Sequence, residues 1–225
     1  MTVIAFLAMN LTASAQYDDP AYWRTSVHVL SSGWSTVWAE FNPSVLENDN
    51  DDTSVTGISL GYSLAFPLIT DVDLYLEPGL GLQYTFKSDD EKKSVEGYSV
   101  KQKTDFNMWS VKVPVNFLYK FEMGNSGFSL SPFAGLTMRY NFSAKEKVKV
   151  TYNGESESET VDLFSSSDMG GSNYTWKRFQ LGWQVGLKAI IADAFMLGAS
   201  YGRDFSEIAK DTKLQTTTIT LGFCF

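Results

Sequence analysis

The sequence predicts an all-β protein, an eight-stranded antiparallel up-and-down transmembrane β-barrel. Three observations carry this. Apolar and polar residues alternate with period two in segment after segment, as in strands whose two faces meet different surroundings. Short and long connections alternate along the chain, as in a meander with all its tight turns at one end. The last ten residues, TTTITLGFCF, form a strictly alternating strand ending on Phe225, where most soluble chains end on polar, fraying residues.

The strands are expected in order. The first, roughly 26–40 (SVHVLSSGWSTVWAE), alternates least cleanly. The second, 58–68, sets Ile58, Leu60, Tyr62, Leu64, Phe66 and Leu68 against Ser, Gly, Ala and Pro. The third, 74–86, sets Leu74, Leu76, Leu80, Leu82, Tyr84 and Phe86 against a face containing Glu77 and Gln83. The fourth, 109–121, sets Trp109, Val111, Val113, Val115, Phe117, Tyr119 and Phe121 against Lys112, Asn116 and Lys120. The remaining four are 130–142, 178–188, 195–202 and 216–225. Short turns fall at 69–72, 123–127 and 193–194, and polar loops at about 41–53, 88–104, 143–173 and 206–213.

Alternation alone does not say which face is outside. A lipocalin-like barrel also has eight strands but keeps its apolar face inside. Here the polar face is mostly Gly, Ser, Thr and Gln, which suits a narrow lumen better than an exposed surface. The apolar face is nearly free of charge, and a Lys or Arg near the middle of a lipid face costs about 2–4 kcal/mol. Aromatics gather at both strand ends. Tyr84, Phe86, Trp109, Tyr140, Phe142 and Phe179 lie toward the long loops, and Phe66, Tyr119, Phe121, Phe195 and Phe225 toward the short turns. Two such belts bracket a membrane. In lipid every backbone group needs a partner, so the sheet must close, the last strand pairing with the first.

Composition narrows the function classes. The net charge is −8, which argues against a nucleic-acid partner. Cys224 is the sole cysteine and His28 the sole histidine, too few for a disulfide or a cysteine- or histidine-rich metal site. No cofactor and no metal site is expected. Residues 2–9 (TVIAFLAM) form an apolar stretch before Ala13-Ser14-Ala15, so 1–15 reads as a signal peptide cleaved after Ala15. No Lys or Arg precedes that stretch. Residues 16–25 read as a short periplasmic segment and 26–225 as the barrel, with both termini in the periplasm and four surface loops.

The stretches WSVKVPVNFLYKF (109–121), SPFAGLTMRYNF (131–142), LGWQVGLKA (181–189) and the closing 198–225 carry a family likeness. They resemble small bacterial outer-membrane β-barrels of OmpA/OmpX-like architecture, and more narrowly the Bacteroidota outer-membrane β-barrel domain family with its PorT-like proteins. The resemblance covers about 26–225. It implies an outer-membrane location and a C-terminal signal, here Phe223 and Phe225, read by the barrel-assembly machinery. It specifies architecture more than activity.

The inward face carries Glu77, Lys112, Lys120, Arg139, Arg178 and Lys188, with Gln83, Gln180 and Gln184. Buried charges must be paired, so a packed polar network is expected, with Glu77 meeting Arg139, Lys112 or Arg178. The alternative is a narrow pore selective for anions, because cations outnumber Glu77 on that face. A lipid-modifying enzyme is a third reading and rests on His28 alone; no catalytic residue is assigned. The acidic run 47–52 fails the EF-hand pattern, since Ser54 and Leu60 stand where Gly and Glu are needed. The long loop 143–173 is either a solvated fringe or a partner surface. The favoured expectation is a monomeric, non-enzymatic outer-membrane scaffold or accessory subunit. Its expected partners are membrane lipid, the assembly machinery and a protein met through the surface loops.

Overall fold

A computed structural model describes residues 33–48, 52–69, 72–95, 98–123, 127–152, 155–169 and 175–225. The expected signal peptide, the 16–25 segment, His28 and the 26–32 part of the expected first strand lie outside the described residues. The strands are β1 (Trp34–Asn48), β2 (Thr53–Ile69), β3 (Val72–Val95), β4 (Tyr98–Tyr119), β5 (Phe121–Glu122), β6 (Ser129–Tyr152), β7 (Glu155–Asp162), β8 (Phe179–Ile191), β9 (Phe195–Asp204) and β10 (Thr212–Cys224). β1, β2, β3, β4, β6, β8, β9 and β10 pair antiparallel in that order, and β10 returns to β1. This is the eight-stranded meander barrel. β5 is a two-residue continuation of β4 along β6, and β7 adds to the outer half of β6.

Closure explains the alternating C-terminus. Thr36 pairs with Cys224 and Asn48 with Thr212. The Ser35 and Phe225 N–H groups donate to each other's carbonyls at 2.9 Å. The last residue is therefore a full member of the ladder, as lipid demands.

The structure corrects the strand boundaries in one direction. β1 runs through Asn48, into the stretch read as a loop at 41–53. β3 and β4 continue through most of 88–104 as one long hairpin, and β6 reaches Tyr152 before β7 turns back to Asp162. These segments lose their outward apolar face because they leave the lipid, while their backbones keep the ladder. At the other end the connections are tight. Ala192 and Asp193 both adopt φ 53°, as in the two-residue hairpin turns whose twist matches the strands.

The apolar outward face and polar inward face fall as the alternation predicts. Leu60, Leu80, Leu221, Phe195 and Phe225 are exposed, while Ser59, Ser63, Gln83, Ser110, Asn141 and Thr220 are buried. The outer belt packs Tyr84 against Trp109 at 4.7 Å, and the inner belt packs Tyr119 against Phe121 at 4.6 Å.

Candidate functional site: a sealed lumen and its outer mouth

Three ion pairs occupy the lumen. Lys112 Nζ donates to Glu40 Oε2 at 2.8 Å, Lys188 pairs with Glu77, and Arg139 pairs with Asp204. Each pair joins strands that share no ladder. Neighbouring dipoles take up the spare acceptor sites. Ser59 donates to Glu40 at 2.8 Å, Ser63 to the other oxygen of Glu77 at 3.0 Å, and Asn116 to Glu77 at 3.3 Å. Gln184 donates to Asn116 at 2.6 Å. Above them Asn42 links Ser59 and Thr218, and Asn141 links Ser110 and Gln180. Such satisfaction is what makes buried charge tolerable.

Several expected partners differ. Glu77 meets Lys188, not Arg139, Lys112 or Arg178. Arg178 is exposed at the rim, where it donates to the Phe142 carbonyl at 3.1 Å and lies 4.2 Å over Phe164. It precedes the first residue of β8, and its side chain lies against the rim carbonyls and the Phe164 ring instead of in the lumen. Lys120 sits at the turn end, bonded to Glu122 at 2.7 Å and lying 5.6 Å from the Trp34 ring. Glu40 and Asp204 are inward acids that the sequence reading missed. Asp204 was legible: Met196, Gly198, Ser200 and Gly202 share one parity, and Asp204 is its next member. With both acids counted, and with Arg178 at the rim and Lys120 at the turn end, the three lumen cations match three acids among the described residues.

Apolar layers close both ends of this polar middle. Toward the tight turns, Trp34 packs with one group formed by Trp38, Ile190, Met196 and Cys224 and with another formed by Ala65, Tyr75, Leu118 and Phe133. Toward the long hairpins, Leu46, Val55, Phe106, Met108, Ala144 and Leu214 form an inward apolar floor. Leu163 and Ile208 descend onto it from the connecting segments. The descent is fixed by backbone bonds, with Leu163 N–H donating to Ala144 at 3.0 Å and Trp176 N–H to Leu163 at 2.8 Å. Part of the 143–173 loop is thus a cap on the barrel. Two voids of about 30 and 20 Å³ lie among the lumen side chains, each room for a water or two.

Outside the cap is an open cleft of about 510 Å³, with Phe106 and Trp176 in its floor and Lys87, Asp89 and Glu146 on its walls. Its two rings lie 5.4 Å apart. The segment ESESE (155–159) lies in β7, fully exposed beside this mouth. Asp52 of the acidic 47–52 run lines a second outer cleft, of about 370 Å³, with Arg203 and Lys213. Among the described residues no group of three or more His, Cys, Asp and Glu is placed to hold a metal. At the opposite end Phe225 faces outward, 6.4 Å from Phe223 and 6.5 Å from Tyr62.

A family model and several solved structures are similar to this chain. The family model described as "Outer membrane protein beta-barrel domain" matches residues 1–225. Among solved structures, Ail, the attachment invasion locus protein of Yersinia pestis, is 20% identical, with a TM-score of 0.46 over 86% of this chain and 99% of that one. Neisserial surface protein A is 14% identical, with a TM-score of 0.43 over 85% and 97%. The outer membrane enzyme PagL is 11% identical, with a TM-score of 0.47 over 83% and 97%. A sequence search of curated proteins finds no match.

Proposed function

Because the chain belongs to the outer membrane protein β-barrel domain family, we propose that this outer-membrane barrel is a non-enzymatic, non-conducting scaffold. In this reading it presents a rigid sheet outside the cell to a protein partner. The observation that carries the reading is the lumen: three one-to-one ion pairs between two apolar layers, with room for only isolated waters. A barrel filled this way has its interior committed to stability. What is left for recognition is the outer extension, where β3, β4, β6 and β7 continue as one sheet beside the aromatic-floored cleft. Function carried on the outer rim of a rigid scaffold fits the general pattern. The sequence offers only His28 for histidine-based catalysis. Export by the 1–15 segment and a periplasmic location for both termini belong to the same reading. Narrower membership among the PorT-like proteins rests on the quoted stretches alone.

In a planar bilayer the purified barrel should give no steady current above the lipid baseline. A stable open level that shifts on Glu77→Gln would sink the non-conducting part of the proposal. The scaffold part is tested by tagging the chain at the β6–β7 turn and extracting it from native membranes in mild detergent. A stoichiometric companion on a native gel is expected. Migration alone would remove the accessory-subunit role.

A further inference from the structure

Above the outer aromatic belt, one sheet face gathers five lysines: Lys101 and Lys103 on β4, and Lys145, Lys147 and Lys149 on β6. The register makes them one patch, since Lys103 stands opposite Lys149, and Asp105 opposite Lys147. Phe106, Met108 and Ala144 between them point inward and are buried. All five lysines therefore lie on the side that Trp109 and Phe142 present to lipid. The acids on this face are Asp90, Asp105 and Asp162. Asp105 is engaged by Lys103 at 2.9 Å, and the Ser88 hydroxyl and then the Lys103 ammonium hold its carboxyl below the usual range. Asp162 accepts from its own chain, the Phe164 N–H, at 2.9 Å. Among the described residues Lys101, Lys145, Lys147 and Lys149 have no carboxylate within ion-pair distance. In a chain of net charge −8, this is a concentrated positive surface.

Its height decides what it meets. At ~3.3 Å per residue and a tilt of ~40°, the lysines stand roughly 8–20 Å above the belt. That interval spans the headgroup layer and the space directly over it. The face is continuous with the lipid-facing wall and lacks the apolar centre of a protein interface. Lysine ammoniums suit phosphate as point charges, and basic clusters beside a membrane recruit anionic headgroups.

We propose that this patch binds the phosphorylated headgroup of an outer-leaflet lipid, whose chains lie along the barrel wall below the Trp109–Phe142 belt. The proposal rests on the hairpins facing out of the cell. Maleimide labelling of Ser158→Cys on intact cells tests that orientation, and lipid binding in detergent tests the patch alone, so the two failures are separable.

The experiment is binding of bisphosphorylated lipid A to the purified barrel in nonionic detergent, with fully dephosphorylated lipid A as the comparison. The Lys145→Gln/Lys147→Gln/Lys149→Gln variant should bind at least about tenfold more weakly. The triple Arg variant should keep the affinity, and Lys177→Gln/Lys210→Gln should leave it unchanged. Added salt should weaken wild-type binding. Unheated gel mobility reports that each variant is folded. Equal binding of the two lipids, or a Gln variant within about twofold of wild type, would overturn the proposal. Full displacement by a soluble acidic polysaccharide would overturn it in favour of a polysaccharide partner.

Discussion

Replacing Arg139 by Leu should destabilise the folded barrel by about 3–5 kcal/mol, the range for stripping one partner from a buried ion pair. Arg139 and Asp204 are 6% and 7% exposed at their side chains, and they join β6 to β9 over the intervening β8. Without the guanidinium, the Asp204 carboxyl is left in a buried site against Gly182, with no other cation bonded to it among the described residues. The double variant Arg139→Leu/Asp204→Leu removes both charges. It should recover most of the loss, because a matched apolar pair in such a site is often neutral or better. Urea unfolding in lipid vesicles, read by the mobility of unheated protein on gels, measures both. If the single variant costs under about 1 kcal/mol, as an exposed pair would, the lumen is wetted along its length and the sealed interior is wrong.

This pair also shows where the sequence stops being readable. Period two located seven of the eight walls, because lipid imposes an apolar face wherever a strand crosses it. The first wall was placed at roughly 26–40, which overlaps β1 over Trp34–Glu40 but ends eight residues short of Asn48. Within β1 the outward residues Val37, Ala39, Phe41, Pro43 and Val45 are apolar, and the inward set is polar at Thr36, Glu40, Asn42 and Ser44 but includes Trp38 and Leu46. The alternation runs on to Leu46, but Pro43 and the acidic run 47–52 after it read as a loop. The partner of Glu77 was beyond reach for a different reason. Which cation an inward acid meets depends on the stagger of strands around the ring, and Glu77 and Lys188 belong to β3 and β8, which share no ladder.

The outer hairpins fail for the opposite physical cause. Beyond the belt the chain re-enters water, and the inside-out pattern reverses. Leu46, Val55, Phe106, Met108 and Leu214 now point inward, while Lys145, Lys147 and Lys149 point outward. The run AKEKVKVTY (144–152) still alternates, with Ala144, Val148, Val150 and Tyr152 on one parity. It reads as a loop only when the apolar face is assumed to be the lipid face throughout. A period-two pattern whose charged parity switches sides across an aromatic belt signals a barrel that continues into water.

A methyl group at Gly61 or Gly81 should damage the barrel wall through the Trp38 ring. The two glycines are cross-strand partners, and Trp38 stands opposite Gly61 on the other side. The Trp38 indole lies flat over both. A Cβ at Gly61 would sit 2.3 Å from its ring and 2.6 Å from the Leu80 carbonyl oxygen; one at Gly81 would sit 2.4 Å from the ring and 3.0 Å from the Leu60 oxygen. The ring is 4% exposed and packs within the turn-side apolar layer, so it has little free volume to retreat into. Overpacking of this kind costs about 1–3 kcal/mol or more, and both Ala variants should fold in lower yield from urea into vesicles. Gly198→Ala, whose Cβ would come no closer than 3.3 Å to a neighbour, is the tolerated control. Double variants with Trp38→Ala separate the two causes. Removing the ring relieves nearly all the clash at Gly81 but leaves the carbonyl clash at Gly61. The coupling with Trp38 should therefore be larger for Gly81→Ala than for Gly61→Ala when measured as a double-mutant cycle. Equal and negligible coupling at both sites would mean the indole does not rest on the glycine pair, and the turn-side seal would need another explanation.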